Sequence, residues 1–499
     1  MGQLLGLINA VDFQAEAFPQ VVKKRAELNK LNIALLELNK SEATKDEKKE
    51  TELKAKITRK QTEINECKVK QPDMIVIAIE KLIKVANDNN FSLCKNNNYV
   101  YLYNGNYWKT IDSKILESFL GEVAEKMGFR KYSARSYQVK EQLFKQFISS
   151  EYRGTPEPSK RVLINLRNST FEIKENGSYS DIGFNKEHFL TYQLSYPLDI
   201  NAEAPIFKAF LNKCLPDIQS QKVLQEYIAY IFIPTNVLKL EKALILYGGG
   251  ANGKSVFNAI VTALLGTNNV SSYTPESLTD PKGYQRAAIQ DILLNYASEI
   301  SGKLNPNMFK ALISGEPVEA RLPYGNPFIM TKYAKLLFNC NELPKDVEHT
   351  HAYFRRLLII PFNVTIAEGE QDKQLHKKII DNELAGVFNW VLEGLNRLLD
   401  QKAFSECEAA DKARDKYKIE SDSVLLFIEE EGFDFSETKK ITLQDLYQAY
   451  KTYCCNDGIV QVKKANFKNR LAAAGKHCTK ENIGNVYYMA KKGEPPKNK

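Results

Sequence analysis

The stretch ILYGGGANGKSVFNAIVTALLG, residues 245–266, sets three consecutive glycines against two of the most regular patterns in the chain. The apolar run 243–247 reads as a buried strand, and 256–265 follows helical apolar spacing. A flexible linker has no need of such flanks. Gly248, Gly253, Lys254 and Ser255 fit G-x-x-x-x-G-K-[ST], and strand–loop–helix is the setting this motif requires. Glycines let backbone N–H groups turn inward around phosphates without Cβ clashes, and the helix N-terminus adds a favourable partial charge. The middle of the chain is thereby committed to an α/β fold around a nucleotide site. Gly248, Gly249, Gly250, Ala251, Asn252, Gly253, Lys254, Ser255 and Val256 would line it. Lys254 would reach the β- and γ-phosphates of ATP, and Ser255 would ligate Mg2+.

Turnover needs an acid as well as a loop. DILLNYASEIS offers Glu299, just past an apolar strand at 292–297, to polarise the attacking water and to stand as a second magnesium ligand. Ser298 occupies the position where many such motors have Asp. A third strand, in YAKLLFNCNELP, ends in Asn339 and Asn341, and a polar residue there could sense the γ-phosphate. Arg355 and Arg356 precede the apolar run LLIIPF. An arginine reaching a neighbouring subunit's nucleotide from there would place the site between the subunits of a ring.

From about residue 90 to 490 the chain resembles the superfamily 3 helicases, in particular the helicase half of the poxvirus, phage and plasmid primase–helicase family. The segments that carry the resemblance are GGGANGKS, ASE, FKALISGEPVEARLPYGNPF, LLFNCNELP and YFRRLLIIPF, in the family's order and at compact spacing. NELAGVFNWVLEGLNRLL and the segment 101–230 are similar to its flanking regions. The resemblance implies an AAA+-like P-loop ATPase core, a homo-oligomeric ring expected to be a hexamer, and ATP-driven movement on single-stranded DNA in the 3′ to 5′ direction. By the same resemblance Lys254 and Ser255 are the Walker A pair, Glu299 the Walker B acid and Asn341 sensor 1. Arg356, ahead of Arg355, is the arginine finger. The Ser298 departure leaves magnesium to Ser255 with waters, or to Glu299 itself.

Two stretches suit DNA. ALISGEPVEARLPYGNPFIMTKYAKLLF reads as a hairpin turning at PYGNP, with Arg321, Lys332 and Lys335 along it and Tyr324 near its tip. In a ring such loops would project into the channel, where cations track phosphates and an aromatic stacks on a base. The chain holds 69 Lys and Arg against 61 Asp and Glu, a net of +8. Residues 461–499 alone hold ten basic residues against Glu481 and Glu494, again +8, so the excess is local. There the order helix, helix, helix, strands fits a winged helix, with Lys463, Lys464, Lys468 and Arg470 on or beside its third helix. The last seven residues fit a disordered basic tail.

The division expected is a charged helical hairpin over 1–72, for interaction or oligomerisation, and a mixed α/β domain over 73–205. An ATPase domain with a leading helical collar follows at 206–403, then a linker helix and basic winged helix at 404–499. Leu28, Leu31, Leu35 and Leu38 form one stripe of the hairpin; Leu53, Ile57 and Ile64 form the other, with Ser41 or Thr44 as N-cap. Aromatic strands flank Asn104-Gly105, a hairpin signal. Eight scattered cysteines make no C-x-x-C pair, so no zinc site is expected and the chain reads as reduced and cytoplasmic, with Cys454 and Cys455 as packing thiols. No apolar run spans a membrane, and no signal peptide is read; Gly2 lacks the Ser or Thr that would favour myristoylation. His349-Thr350-His351 resembles a nuclease metal pair but sits in a motor loop. Fewer than about a hundred helical, charged residues precede the family-like region, so no primer synthesis is expected of this chain and a primase or initiator would act separately. The reading is a ring-forming DNA helicase for a phage, plasmid or other mobile element, acting on single-stranded and forked DNA. Its rivals are an ATPase that loads or remodels proteins on DNA, and a non-catalytic DNA-binding factor that uses nucleotide to hold the ring.

Overall fold

A computed structural model describes residues 1–40, 47–96, 98–153, 159–298, 300, 304–344 and 347–491. The chain forms two compact units, Met1–Glu157 with Phe184–Tyr192, and Pro158–Gly183 with Gln193–Lys499. The boundary expected at 72 falls inside the first unit, because the helix Gln71–Asp88 crosses it. The stretch 73–205 is shared between the two units.

In the first unit the helices Gln20–Lys40 and Glu47–Asn65 pair. Leu28, Leu31, Leu35 and Leu38 are half-buried along one, as are Leu53 and Ile57 along the other, and Ile64 is buried. Lys60 bridges to Glu27 at 2.8 Å and Lys24 to Glu63 at 3.3 Å. The caps expected at Ser41 or Thr44 lie outside the described residues. Leu82, Leu120, Val123, Leu143 and Phe147 build a core shared by the helices Gln71–Asp88, Ser113–Met127 and Tyr137–Ser150. The strands Ser92–Asn96, Tyr99–Tyr103 and Trp108–Ile111 form an antiparallel sheet, with Tyr103 opposite Trp108. Asn104 closes the connection through its side chain, which accepts from the N–H groups of Asn106 and Tyr107, and Gly105 supplies φ +98°. Phe189, returning from the 184–192 segment, stacks on Trp108 at 5.1 Å, and Trp108 Nε1 donates to Lys186 O at 2.8 Å.

The second unit is organised by five parallel strands. In chain order they are Ala243–Tyr247, Val270–Ser271, Leu294–Ala297, Lys335–Cys340 and Leu357–Pro361, and across the sheet they run 5-1-4-3-2. Ala243 and Ile245 face one core with Leu336, Phe338 and Ile359. The run 243–247, apolar at nearly every position, suits a strand covered on both faces. Pro205–Cys214, Ile218–Tyr230 and Leu384–Gln401 pack beside it; buried Glu226 is met there by Arg397, Gln401 and Ser405. The chain ends, after the helix Glu408–Ser421, in the helices Ser423–Glu430, Leu443–Asn456 and Lys464–Ala473, closed on Phe427, Tyr450 and Phe467. Thr479–Glu481 and Gly484–Tyr487 follow as an antiparallel pair. A strand at Phe433–Phe435, paired with Met489–Lys491, has no counterpart in the sequence reading. Cys454 is buried as expected, but Cys455 is exposed, because neighbouring helix positions point about 100° apart. None of the described helices is long and apolar enough to cross a membrane.

Candidate functional site

The loop 248–253 leaves the C-terminal end of the strand Ala243–Tyr247 and runs into the helix Lys254–Leu265. In parallel α/β sheets this end of the strands is where ligands bind. Gly248 has φ +150°, and a Cβ there would lie 2.3 Å from Phe362 O, so no other residue fits. Gly253, at φ +88°, packs its back against Phe210 and Cys214. Gly249 and Gly250 face open space, where a Cβ would meet nothing. The front of the loop is thus clear and its back is braced. Phe362 N donates to Tyr247 O and Ile366 N to Ala251 O, both at 2.7 Å.

Lys254 is buried within the curve. Its Nζ donates to Gly248 O at 2.6 Å, Gly249 O at 2.8 Å and Asn252 Oδ1 at 3.0 Å. Burial pushes its ammonium below the ordinary lysine value, and nearby Cys340 opposes that shift. The Cys340 thiol is pushed up to about 12 by burial, with Lys254 pulling the other way. Asn252 also donates Nδ2 to Phe362 O at 3.0 Å. It therefore ties the lysine to the end of the neighbouring strand. Ser255 is exposed on the first helical turn. A loop with a cleared front, a fixed ammonium and an open hydroxyl fits a polyphosphate and its magnesium ion.

Because the sheet is parallel, the ends of Ala243–Tyr247, Leu294–Ala297 and Lys335–Cys340 share one edge. Glu299 lies outside the described residues. Asn341 is exposed just past its strand. Asn339 is buried within that strand, and its side chain lies close enough to the Tyr296 hydroxyl to act on it. Burial pushes the Tyr296 phenol up, and Asn339 partly opposes this.

Arg355 and Arg356 lie at the other edge. Leu357 is in register with Ala243 and Pro361 with Tyr247, so the pair precedes a strand whose far end meets the loop. Five residues at about 3.3 Å each put roughly 17 Å between the arginines and the glycines of the same chain. Arg356, expected to be the reaching residue, is the more deeply held of the two. Arg356 is 8% exposed; its Nε donates to Ser314 Oγ at 3.0 Å and Nη1 to Ala352 O at 2.7 Å, and Nη2 lies 3.4 Å from Glu241. Arg355 has a side chain 48% exposed and, among the described residues, one ion pair, with Glu241 at 3.0 Å. Glu241, which sequence reasoning missed, takes both arginines and Lys239 from a backbone at φ +52°. A non-glycine residue there is strained by about 1–3 kcal/mol. Nothing in LKLEKAL signals it.

The strands Val318–Arg321 and Pro327–Met330 form the expected hairpin. Tyr324 at its tip is fully exposed, with φ +59°. Arg321 is exposed too, although its Nε donates to Gly325 O at 2.9 Å and holds the turn. Lys332 and Lys335 do not lie on the hairpin. Lys332 pairs with Asp291 at 3.6 Å, and Lys335 begins the sheet strand with its ammonium 3.9 Å above the ring of Tyr230. In the C-terminal part Lys463 is exposed, Lys464 bonds to Gln444, and Lys468 is half-buried. Arg470 is drawn inward to Asp422 at 3.0 Å, where it pins the third helix to the cap of the first. It belongs with the structural cations. His349 faces Asp422 at 3.9 Å, and no group of three or more His, Cys, Asp or Glu gathers among the described residues.

Three family models match successive parts of the chain. Residues 78–216 match "D5 N terminal like", 246–356 match "Family of unknown function (DUF5906)", and 419–494 match "Poxvirus D5 protein-like". The first and last of these matches support the poxvirus/phage primase–helicase family for this chain. Among the relatives it matches, "Putative helicase L207/L206" of Acanthamoeba polyphaga mimivirus is 27% identical over 233 residues, 43% of this chain and 23% of the relative. "Putative helicase 121R" of Invertebrate iridescent virus 3 is 25% identical over 319 residues, 56% of this chain and 32% of the relative. The chain thus spans about a quarter to a third of the length of these curated relatives. Among solved structures, the apo NrS-1 C-terminal region is similar with TM-score 0.46 and 12% identity, over 82% of this chain and 98% of that one. A second apo form of that region gives 0.45 and 14%, over 85% and 99%.

Proposed function

We propose that the second unit is the motor of an ATP-driven DNA helicase serving replication of a viral or other mobile element. The observation that carries the reading is the Lys254 ammonium, fixed inside a glycine loop at the carboxyl edge of a parallel sheet ordered 5-1-4-3-2. That order and loop support an AAA+-like P-loop ATPase of the superfamily 3 type, and the viral relatives named as helicases support the DNA-unwinding role.

In this reading Lys254 exchanges the carbonyls of Gly248 and Gly249 for β- and γ-phosphate oxygens, while Asn252 keeps its ammonium aimed. Ser255 and Glu299 would hold Mg2+, which when bound neutralises charge on the phosphates. Glu299 orients and polarises water, and Asn341 senses the γ-phosphate from the adjoining strand. Asn339, two residues earlier in the chain, can steady that edge. The Arg355–Arg356 edge, about 17 Å from its own loop, serves the next subunit's nucleotide, which makes a ring, expected to be a hexamer, the active form. Arg355 is the better placed of the two. The hairpin tip, Arg321 with Tyr324, grips single-stranded DNA, and a C-terminal winged helix presents Lys463, Lys464 and Lys468 to forked DNA.

The test is ATP turnover with and without single-stranded DNA, followed by strand displacement on a forked duplex. DNA-stimulated turnover with displacement is expected. Stimulation without displacement would point to a loader or remodeller, and nucleotide binding without turnover to an assembly factor.

A further inference from the structure

The first unit has a corner to which none of the foregoing gives a role. Between the helices Ser113–Met127 and Tyr137–Ser150 the chain turns through the short helix Lys131–Arg135. Ala134, Val139, Leu143 and Phe147 are buried beneath the turn. Ser136 caps the second helix by accepting from Val139 N. Gly121 allows close approach: a Cβ there would lie 2.9 Å from Lys140 Cε and 3.0 Å from Ala134 O. The corner is therefore well anchored. Two tyrosines stand out from it, Tyr132 at 83% exposure and Tyr137 at 75%. Rings left this free contribute little to packing, and an exposed aromatic with an apolar body and a polar tip suits a contact surface.

The charge around them is predominantly positive. Residues 126–145 hold Lys126, Arg130, Lys131, Arg135, Lys140 and Lys145 against the single carboxylate of Glu141. Glu141 is taken by Lys145 at 2.7 Å, and Arg135 by Glu125 of the adjoining helix at 2.9 Å. Lys126 donates to Leu5 O. Arg130 and Lys131 are exposed beside Tyr132.

We propose that this corner is a docking surface for single-stranded nucleic acid, with Tyr132 and Tyr137 stacking on unpaired bases and Arg130, Lys131 and Lys140 taking the flanking phosphates. Free-standing rings select unpaired bases, because a duplex hides base faces within its own stack. An acidic peptide would use the cations and leave the rings idle. The surface lies on the unit without the ATP loop, so it adds a second nucleic-acid contact to the proposed function without depending on turnover.

The test uses the full chain, without nucleotide, and a fluorescent oligo-dT as probe. Base–aromatic stacking of about 1–3 kcal/mol corresponds to roughly 5- to 150-fold in affinity per ring. Tyr132→Ala with Tyr137→Ala should therefore weaken oligo-dT binding at least tenfold at unchanged salt slope, because no charge is removed. Tyr132→Trp with Tyr137→Trp should keep it, which excludes misfolding. Arg130→Ala with Lys131→Ala should flatten the slope by about 0.7 per lost phosphate contact. An oligonucleotide carrying 5-iododeoxyuridine should crosslink to Tyr132 or Tyr137. Wild-type binding that the alanine pair leaves intact would overturn this proposal alone, as would loss of polyglutamate binding with oligo-dT binding intact. Wild-type protein with no affinity for oligo-dT in the absence of nucleotide would also overturn this proposal, while the helicase reading stands or falls by turnover and strand displacement.

Discussion

Asn252 and Lys254 are joined through Oδ1 and Nζ at 3.0 Å, and the same Asn252 amide donates to Phe362 O at 3.0 Å. One side chain thus couples the Lys254 ammonium to the first residue after the outer strand of the sheet. The aim of the lysine depends on that strand as well as on the glycines.

Removing the coupling should weaken nucleotide binding without unfolding the loop. Hydrogen bonds to charged groups contribute about 1.5–3 kcal/mol, so Asn252→Ala should reduce affinity for a fluorescent ATP analogue by about one to two orders of magnitude. Lys254→Ala should abolish binding, because the phosphates lose their main cation. Equal affinity in Asn252→Ala and wild type would show that the clip does not position Lys254.

The two arginines should separate by what they do to folding. Arg355→Ala should bind ATP, keep its melting temperature and lose roughly 10³–10⁵ in turnover if it acts on a neighbour's nucleotide. Arg356→Ala should instead lower the melting temperature, because Ser314 and Ala352 lose their donor and Glu241 loses one of its three cations. Glu299→Gln should bind ATP and fail to turn it over. Mixing Glu299→Gln with Arg355→Ala protein should restore some activity, since some interfaces would carry both intact groups. No restoration, with rings still formed, would count against a site shared between subunits.

The thiols offer a check that needs no DNA. Cys340 is pushed up to about 12 by burial, so at pH 8 it is held as the unreactive thiol, whereas Cys455 is exposed. Iodoacetamide at pH 8, read by peptide mass spectrometry, should modify Cys455 well before Cys340. Early labelling of Cys340 would mean that the edge around Lys254 opens in solution.

The loop and its sheet were legible because their signals are local. Glycine spacing, an apolar five-residue run and a helical period lie within two dozen residues, and PYGNP marks the hairpin in the same way. What escaped depends on partners brought from afar. Arg356 looks as available as Arg355 until Ser314, 42 residues earlier, accepts from its guanidinium. Lys335 reads as a hairpin cation until the fold lays it on Tyr230. Glu241 has no sequence signal, since its importance lies in a strained backbone and in two arginines more than a hundred residues downstream. A charged side chain advertises its sign in the sequence but not the group that takes it.

That distinction sets the last prediction, on the basic C-terminal part. Of the four cations expected to meet DNA, Arg470 is committed to Asp422, leaving Lys463, Lys464 and Lys468. Each phosphate contact contributes about −0.9 to the slope of log affinity against log salt on duplex DNA. Replacing the three lysines with alanine should therefore flatten that slope by about 2 to 3 units on a forked duplex, with basal ATP turnover kept, since the phosphate loop is elsewhere in the unit. Arg470→Ala should leave the slope nearly unchanged and lower the melting temperature, because Asp422 would keep a buried carboxylate without its cation. For a partly exposed pair that loss is about 1–3 kcal/mol. The measurement is affinity across a salt series for wild type, the triple variant and Arg470→Ala, with a melting curve for each. A slope that falls with Arg470→Ala and holds in the triple variant would reverse the assignment: the ion pair with Asp422 would then be one that DNA displaces.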